Sequence, residues 1–439
     1  MKRFRWLLLA STLVVVGVVI TTAFLQQDAP SHDEAAVALP EGVTVRQVDG
    51  GPDYYGRFRN GLPTQNTFFP IGVWLESVVE PTDVAKDKAV GINTYVDLFA
   101  GSSFGLVREA GSFAISSLAS PDSSGFDLSD ESDMWAGPGT SRWTGLYPGM
   151  GDLCQPEGSK CGFTVQAQRA EAANPDVMTY ANYGKGVTFW ESDDEAGRFV
   201  NDFQDLVSAD NYWFTDPNIC GPSEGGKIAG GQRALSQEEC RRAANYGWTV
   251  DRLRNLQKPG QRIPVWGFVE DGHPSKEDQL AITGPQLRAA VWSSIIHGAR
   301  GIIYFNHNFG GDCISYHVLR DSCGDSIRPT VSSVNHQIQA LAPVLNSPFL
   351  DGALSNDGSV DTAVKAYNGE LYIIAGAKLP TSHNVEFKLS CGAGSSLSVI
   401  GENRSIPIMG GKFTDTFADG NAVHIYRVLG GNACGITSR

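Results

Sequence analysis

Two glutamates stand at the ends of short apolar runs. Glu131 closes Gly125-Phe126-Asp127-Leu128-Ser129-Asp130, and Glu270 closes Ile263-Pro264-Val265-Trp266-Gly267-Phe268-Val269. Apolar and aromatic runs bounded by turn signals read as buried strands, and Asp271-Gly272 supplies the turn after Glu270. Two carboxyl groups facing each other across a bound sugar can split a glycosidic bond. One protonates the departing oxygen and the other attacks the anomeric carbon; a separation of about 5 Å suits retention, and about 6.5–9.5 Å suits inversion. Glu131 and Glu270 are the candidate pair. A lone glutamate beside a turn is ordinarily a surface carboxylate. Two at matching strand ends, both beside aromatics, weaken that alternative.

The elements that would position them recur along the chain. Strands are expected over 68–74, 92–98, 112–118, 125–131, 176–183, 205–213, 263–270 and 301–305. Helices are expected over 81–90, 104–110, 165–173, 195–204, 240–255 and 286–300, with a Gly/Pro-rich insertion over 132–164. Strands alternating with helices predict a parallel sheet covered by helices. Eight such units in roughly 250 residues match a closed (β/α)8 TIM barrel, in which chemistry sits at the carboxyl ends of the strands. Strands four and seven then lie across the mouth from each other. A doubly wound open sheet is the competing fold, but no G-x-G-x-x-G or P-loop follows any strand. From about Pro348 the pattern changes to strands over 363–367, 371–375, 384–388 and 423–428, the mark of a small antiparallel β-sandwich. The expected division is a barrel over 46–345 and a sandwich over 346–439.

Strand-end side chains fall into two groups. Trp74, Tyr183, Tyr212, Trp213, Trp266 and Tyr304 could stack on sugar faces, with core packing as the competing role for each. Asp97, Asn182, Asn306 and His307 could hydrogen-bond hydroxyls, with loop backbone as the competing partner. Trp135 and Trp143, in the insertion, could wall the cleft. His297 is expected to pack in the helix layer under the barrel. Glu191, Asp193, Asp194 and Glu195 read as a solvated helix start rather than a metal site.

These segments resemble the retaining TIM-barrel glycoside hydrolases of clan A. Leu128-Ser129-Asp130-Glu131-Ser132-Asp133-Met134 is similar to that group's strand-four segment, and Val265-Trp266-Gly267-Phe268-Val269-Glu270 to its strand-seven segment. Trp292 to Phe305 is similar to the helix and eighth strand common in such barrels. The resemblance spans roughly 65 to 345. It implies Glu131 as acid/base, with a raised pKa that keeps its proton, and Glu270 as the ionised nucleophile, acting on an oligosaccharide or polysaccharide by double displacement. One position departs: Asp130 stands where that group carries Asn before the acid. Two other readings use the same features, a carbohydrate-binding cell-surface barrel without catalysis and a transglycosylase with the same acids.

Composition narrows the partners. A formal net charge of -14, with no basic run beyond the first residues, argues against nucleic acid. Eight cysteines fall into the sequential pairs Cys154–Cys161, Cys220–Cys240, Cys313–Cys323 and Cys391–Cys434, the connectivity expected here for an exported chain. With no C-x-x-C pair and scattered histidines, no metal or other cofactor is expected. Lys2, Arg3 and Arg5 precede an apolar run from Trp6 to Leu25, which directs export as a cleaved signal or stays as an anchor. A polar linker over 26–45 follows. The expected protein is a monomer, extracellular or held at the cell surface.

Overall fold

The computed structural model describes residues 39–135, 162–276, 280–392, 394–430 and 433–435. Eight parallel strands close into a barrel in chain order: Ile71–Glu76, Thr94–Leu98, Phe113–Ser116, Gly125–Asp130, Met178–Tyr183, Leu206–Ala209, Val265–Glu270 and Ile302–Phe305. Helices lie between most of them, and Arg328–Leu345 follows the last. Strands three and four are joined with no helix among the described residues. The barrel and its strand count agree with the expectation from sequence. The sixth strand is shorter than expected, ending at Ala209, and the region expected as one helix over 240–255 is two, Gln237–Cys240 and Ala244–Leu256.

Side-chain parity explains the packing. Successive residues of a strand point to opposite faces. In the seventh strand, Trp266 and Phe268 belong to the cluster filling the lumen, while Val265 and Val269 pack toward the helices. Both faces of this strand are buried, so residues 265–269 read as a nearly continuous apolar run. The lumen cluster also holds Trp74, Val96, Ile115, Tyr180, Leu206, Ile303 and Phe305. A helical turn, Tyr54–Arg57, plugs its amino-terminal end, where Trp266 Nε1 donates to Tyr55 Oη at 3.0 Å.

The C-terminal part forms a seven-stranded and a three-stranded antiparallel sheet around a second core that includes Leu371, Phe387, Phe413 and Tyr426. One strand of the larger sheet comes from the other end of the chain: Thr44–Arg46 pairs with Phe349–Asp351. The sequence reading put 44–45 in a linker. Three residues are too few to show a period, and their partner lies three hundred positions away.

Contacts between barrel and sheets include Arg288 Nη1 donating to Val423 O at 3.1 Å. His297 bridges the two parts, with Asp251 at 2.7 Å on one side and Asp361 at 3.2 Å on the other. Burial disfavours its charge, but the two carboxylates outweigh that and raise its pKa to about 9. It is therefore a charged tie between barrel and sheet as well as a packed ring.

Cys220–Cys240, Cys313–Cys323 and Cys391–Cys434 are bonded as expected; Cys154 and Cys161 lie outside the described residues. Three disulfides suit an extracytoplasmic protein. Among the described residues, no helix is long and apolar enough to cross a membrane.

Candidate active site

Parity turns Glu270 inward with Trp266 and Phe268, at the carboxyl end of the barrel. Its carboxyl is 0% exposed. One oxygen accepts from the Phe214 N–H at 2.9 Å, and the other has no hydrogen-bond partner among the described residues. The loop that supplies Phe214 is firmly held. Cys220–Cys240 closes it, Arg241 Nη1 donates to Trp213 O and Asp216 O, and Lys185 Nζ pairs with Asp216 at 2.5 Å and Glu224 at 2.8 Å. Burial pushes the Glu270 pKa up to about 8, although the Phe214 and Thr215 amides and the Arg241 charge favour ionisation. The expected ionised carboxylate is thus a mostly protonated one at neutral pH.

Glu131 follows the fourth strand with φ of 50°. A bulky residue in that left-handed region is strained, and such strain gathers at functional positions. Its N–H donates to Asn182 O at 2.9 Å. Gly184 makes room for its carboxyl: a Cβ there would lie 3.0 Å from Glu131 Oε1 and collide with Met134. Burial and the Asp130 and Asp133 charges raise the Glu131 pKa to about 8. Opposing them, the Asp210 side chain hydrogen-bonds Glu131 and steadies its ionised form. Asp210 itself is pushed well up by burial and by the Glu131 charge. Two carboxyl groups in contact cannot easily both ionise, so the pair retains a proton.

More acids line this side of the mouth. The fourth strand changes register between Asp127 and Ser129. That irregularity sets both Asp127 and Asp130 on the lumen side, opposite Tyr180 and Asn182, while Ser129 turns out to Gln166 at 2.5 Å. Asn182 Nδ2 donates to Asp130 Oδ1 at 3.0 Å, and Asn182 Oδ1 accepts from Ser208 at 2.6 Å. Asp130 touches solvent, yet the surrounding protein raises its pKa to about 6. Asp133 anchors the next turn, accepting from Gly184 N at 3.1 Å and Val187 N at 2.7 Å.

The other expected site residues separate clearly. Asn182 and Tyr212 join Glu131: Tyr212 Oη donates to Asp210 at 3.1 Å, and its ring packs on Phe305, with centroids 5.1 Å apart. Asp97, with φ of 57°, accepts from Ser116 Oγ, Ser117 N and Ser117 Oγ and acts electrostatically on Asp127 and Asp130. Trp74 packs on Phe268 in the lumen at 5.6 Å, and Trp266 lies deeper, against Tyr55. Asn306 binds Glu76, which His317 and Arg320 also hold at 2.5 Å and 3.1 Å. His307 accepts burial as a neutral ring, its pKa lowered to about 4.

Tyr183 and Tyr304 face away from the mouth. Tyr183 Oη donates to Phe199 O at 2.9 Å and contacts Gln204, and Tyr304 Oη donates to Asn335 Oδ1 at 2.8 Å. Both sit on the helix side of their strands because parity sends them opposite to Asn182 and Phe305. Trp213 is also fully buried, bonded to Thr249 at 3.0 Å. Trp143 and the side chain of Trp135 lie outside the described residues.

Glu131 and Glu270 are not each other's main influence; Asp130, Asp133, Asp210 and Lys185 act on the first, Arg241 on the second. Asp210 is the residue that sequence reasoning missed. The sixth strand was expected to run to 213, which hid Asp210 inside it. Its acid–amide pair, Asp210-Asn211, directly after an apolar run was the available signal. Among the described residues, no cluster of three or more His, Cys, Asp or Glu suits a metal.

No family model matches the chain, and no curated protein does. Among solved structures it is similar in fold to a family 39 glycoside hydrolase from the gut symbiont Bacteroides cellulosilyticus WH2, at 12% identity over 83% of this chain and 82% of that chain, with a TM-score of 0.49. It is similar to a second glycoside hydrolase at 11% identity, covering 87% and 96% of the two chains with a TM-score of 0.47. A GH30 endoxylanase from Clostridium papyrosolvens C71 follows at 10% identity, 82% and 96% coverage and a TM-score of 0.36. TIM-barrel glycoside hydrolases are thus its structural neighbours at low identity. The likeness is one of fold alone.

Proposed function

We propose that the barrel cleaves a glycosidic bond in an oligosaccharide or polysaccharide by a retaining double displacement. One observation supports the proposal: Glu131, with φ of 50° at the end of the fourth strand, is packed against the Asp210 side chain, which hydrogen-bonds it, and burial with the Asp130 and Asp133 charges raises its pKa to about 8. A general acid needs such a pKa. Glu131 gives its proton to the leaving oxygen. Glu270 in its ionised form attacks the anomeric carbon, and the glycosyl–enzyme bond is later broken by water that Glu131 deprotonates. Once ionised, Glu131 stands beside Asp130 and Asp133. The Asp210 hydrogen bond offsets that repulsion. Asn182 and Tyr212, bonded to Asp130 and Asp210, hold the acids in place.

A second reading is favoured by the complete burial of Glu270: a barrel that binds glycan without cleaving it. A panel of glycans separates the two. Wild type, Glu131→Gln, Glu270→Gln and Asp210→Asn are assayed for released reducing ends, with the product anomer followed by NMR. Cleavage with net retention, lost in both glutamate variants, is the expected result. Full activity in Glu270→Gln refutes its role as nucleophile. Glycan binding by a wild type that cleaves nothing establishes the second reading.

A further inference from the structure

The end of the barrel away from the candidate active site is electrostatically unlike the rest of the chain. A cavity of about 660 Å³ opens there, lined by residues 46–51, Tyr54, Arg57 and 260–263. These residues surround the tyrosine plug and precede the seventh strand, so the cavity lies at the amino-terminal ends of the strands. In a chain of net charge -14, its charged lining is Arg46, Arg57, Arg262 and a single acid, Asp49.

That acid is already committed. Asp49 is held by buried Arg254 at 2.6 Å, and Arg300 behind it donates to Asp49 O at 2.7 Å and Gly51 O at 3.2 Å. Arg46 is paired with Asp351 at 2.6 Å. Arg262 approaches Asp49 only to 3.9 Å. Arg57 lies over the Tyr54 ring at 3.9 Å and donates to Tyr54 O, with no carboxylate in ion-pair range among the described residues. Five arginines therefore meet three carboxylates around one cavity: Asp49, Asp351 and Asp251, the last 3.8 Å from Arg254. The positive surplus has further signs. Arg300 is 4% exposed with its Nε unpartnered, and Arg262 is destabilised as a cation by burial and by Arg254. Leaving cations close together and unmatched is costly unless an anion joins them.

We propose that this cavity binds a phosphate group, with the Arg57 and Arg262 guanidinium groups as its direct ligands and Arg254 and Arg300 adding positive field from behind. Two planar donor forks, Arg57 with no ion pair among the described residues and Arg262 with only a 3.9 Å approach to Asp49, suit the tetrahedral oxygens of phosphate. The site is independent of the glycan chemistry at the opposite end. The phosphate has two sources, a free phosphate monoester or the phosphodiester of a lipid headgroup. The second is raised by the apolar run Trp6 to Leu25, which precedes Arg46 by about twenty residues, long enough for a membrane span.

The test is calorimetry on the full chain in a non-ionic detergent at constant ionic strength. The probes are inorganic phosphate and glycerophosphoglycerol, the headgroup of a common anionic lipid. The expected result is saturable binding of at least one probe, weakened about tenfold or more in Arg57→Ala/Arg262→Ala through loss of two charge-assisted contacts. Arg57 is exposed and Arg262 half-buried, and an unchanged melting temperature checks folding. Preference for inorganic phosphate assigns the monoester, and preference for the diester assigns the headgroup. Binding of neither probe overturns the proposal, and so does equal binding by the double variant.

Discussion

Replacing Glu270 with glutamine tests the electrostatics of the site without relying on a known substrate. An ordinary glutamate ionises near 4.5, whereas burial raises this one to about 8. Below the lower value both folded and unfolded chains hold the proton. Between the two, the unfolded chain releases it and the folded chain keeps it. Stability therefore falls as pH rises, by about 1.36 kcal/mol per pH unit for this one group. From pH 5 to pH 8 the accumulated loss is about 3.5 kcal/mol at most. Glutamine carries no such penalty. Its amide oxygen can accept from Phe214 N as the carboxyl does at 2.9 Å. Its NH2 would occupy the place of the oxygen that has no partner, at a fixed cost of about 1–3 kcal/mol. Glu270→Gln should thus be the less stable protein at pH 5 and the more stable at pH 8, with the curves crossing near about pH 6. Urea unfolding of both proteins across that range measures the difference, in which titration of other groups cancels. A difference that stays flat from pH 5 to pH 8 refutes the claim that burial holds Glu270 neutral.

Two further outcomes follow from the same geometry. The proposed reaction needs Glu270 ionised and Glu131 protonated, each with a pKa of about 8. The profile of kcat/KM should be bell-shaped with its maximum near pH 8, and an optimum near pH 5 would contradict both shifts. Tyr304→Leu should cost about 2–4 kcal/mol of stability, measured by urea unfolding, through a cavity and the lost bond to Asn335. Its KM should stay unchanged, whereas Tyr212→Leu at the mouth should raise KM; the reverse pattern would put Tyr304 in the substrate site.

Much of this molecule was legible in the chain itself. Apolar runs alternating with helical segments specify a barrel because each parallel strand is buried on both faces. Cys220 and Cys240, or Cys313 and Cys323, are close in sequence, and such pairs meet with little chain to fold between them. Parity alone puts Glu270 on the lumen face with Trp266 and Phe268, and the same rule turns Tyr183 and Tyr304 toward the helices. Other features needed the closed fold. The pairing of Asp210 with Glu131 joins the ends of strands four and six, and no local pattern encodes that contact. The register change after Asp127, which sets Asp130 inward beside Asn182, depends on how two strands align. Thr44–Arg46 becomes a strand only because Phe349–Asp351 is beside it. The protonation of Glu131 and Glu270 depends on burial and on charges from several elements at once. A sequence lists which acids exist, but their pKa values belong to the space around them.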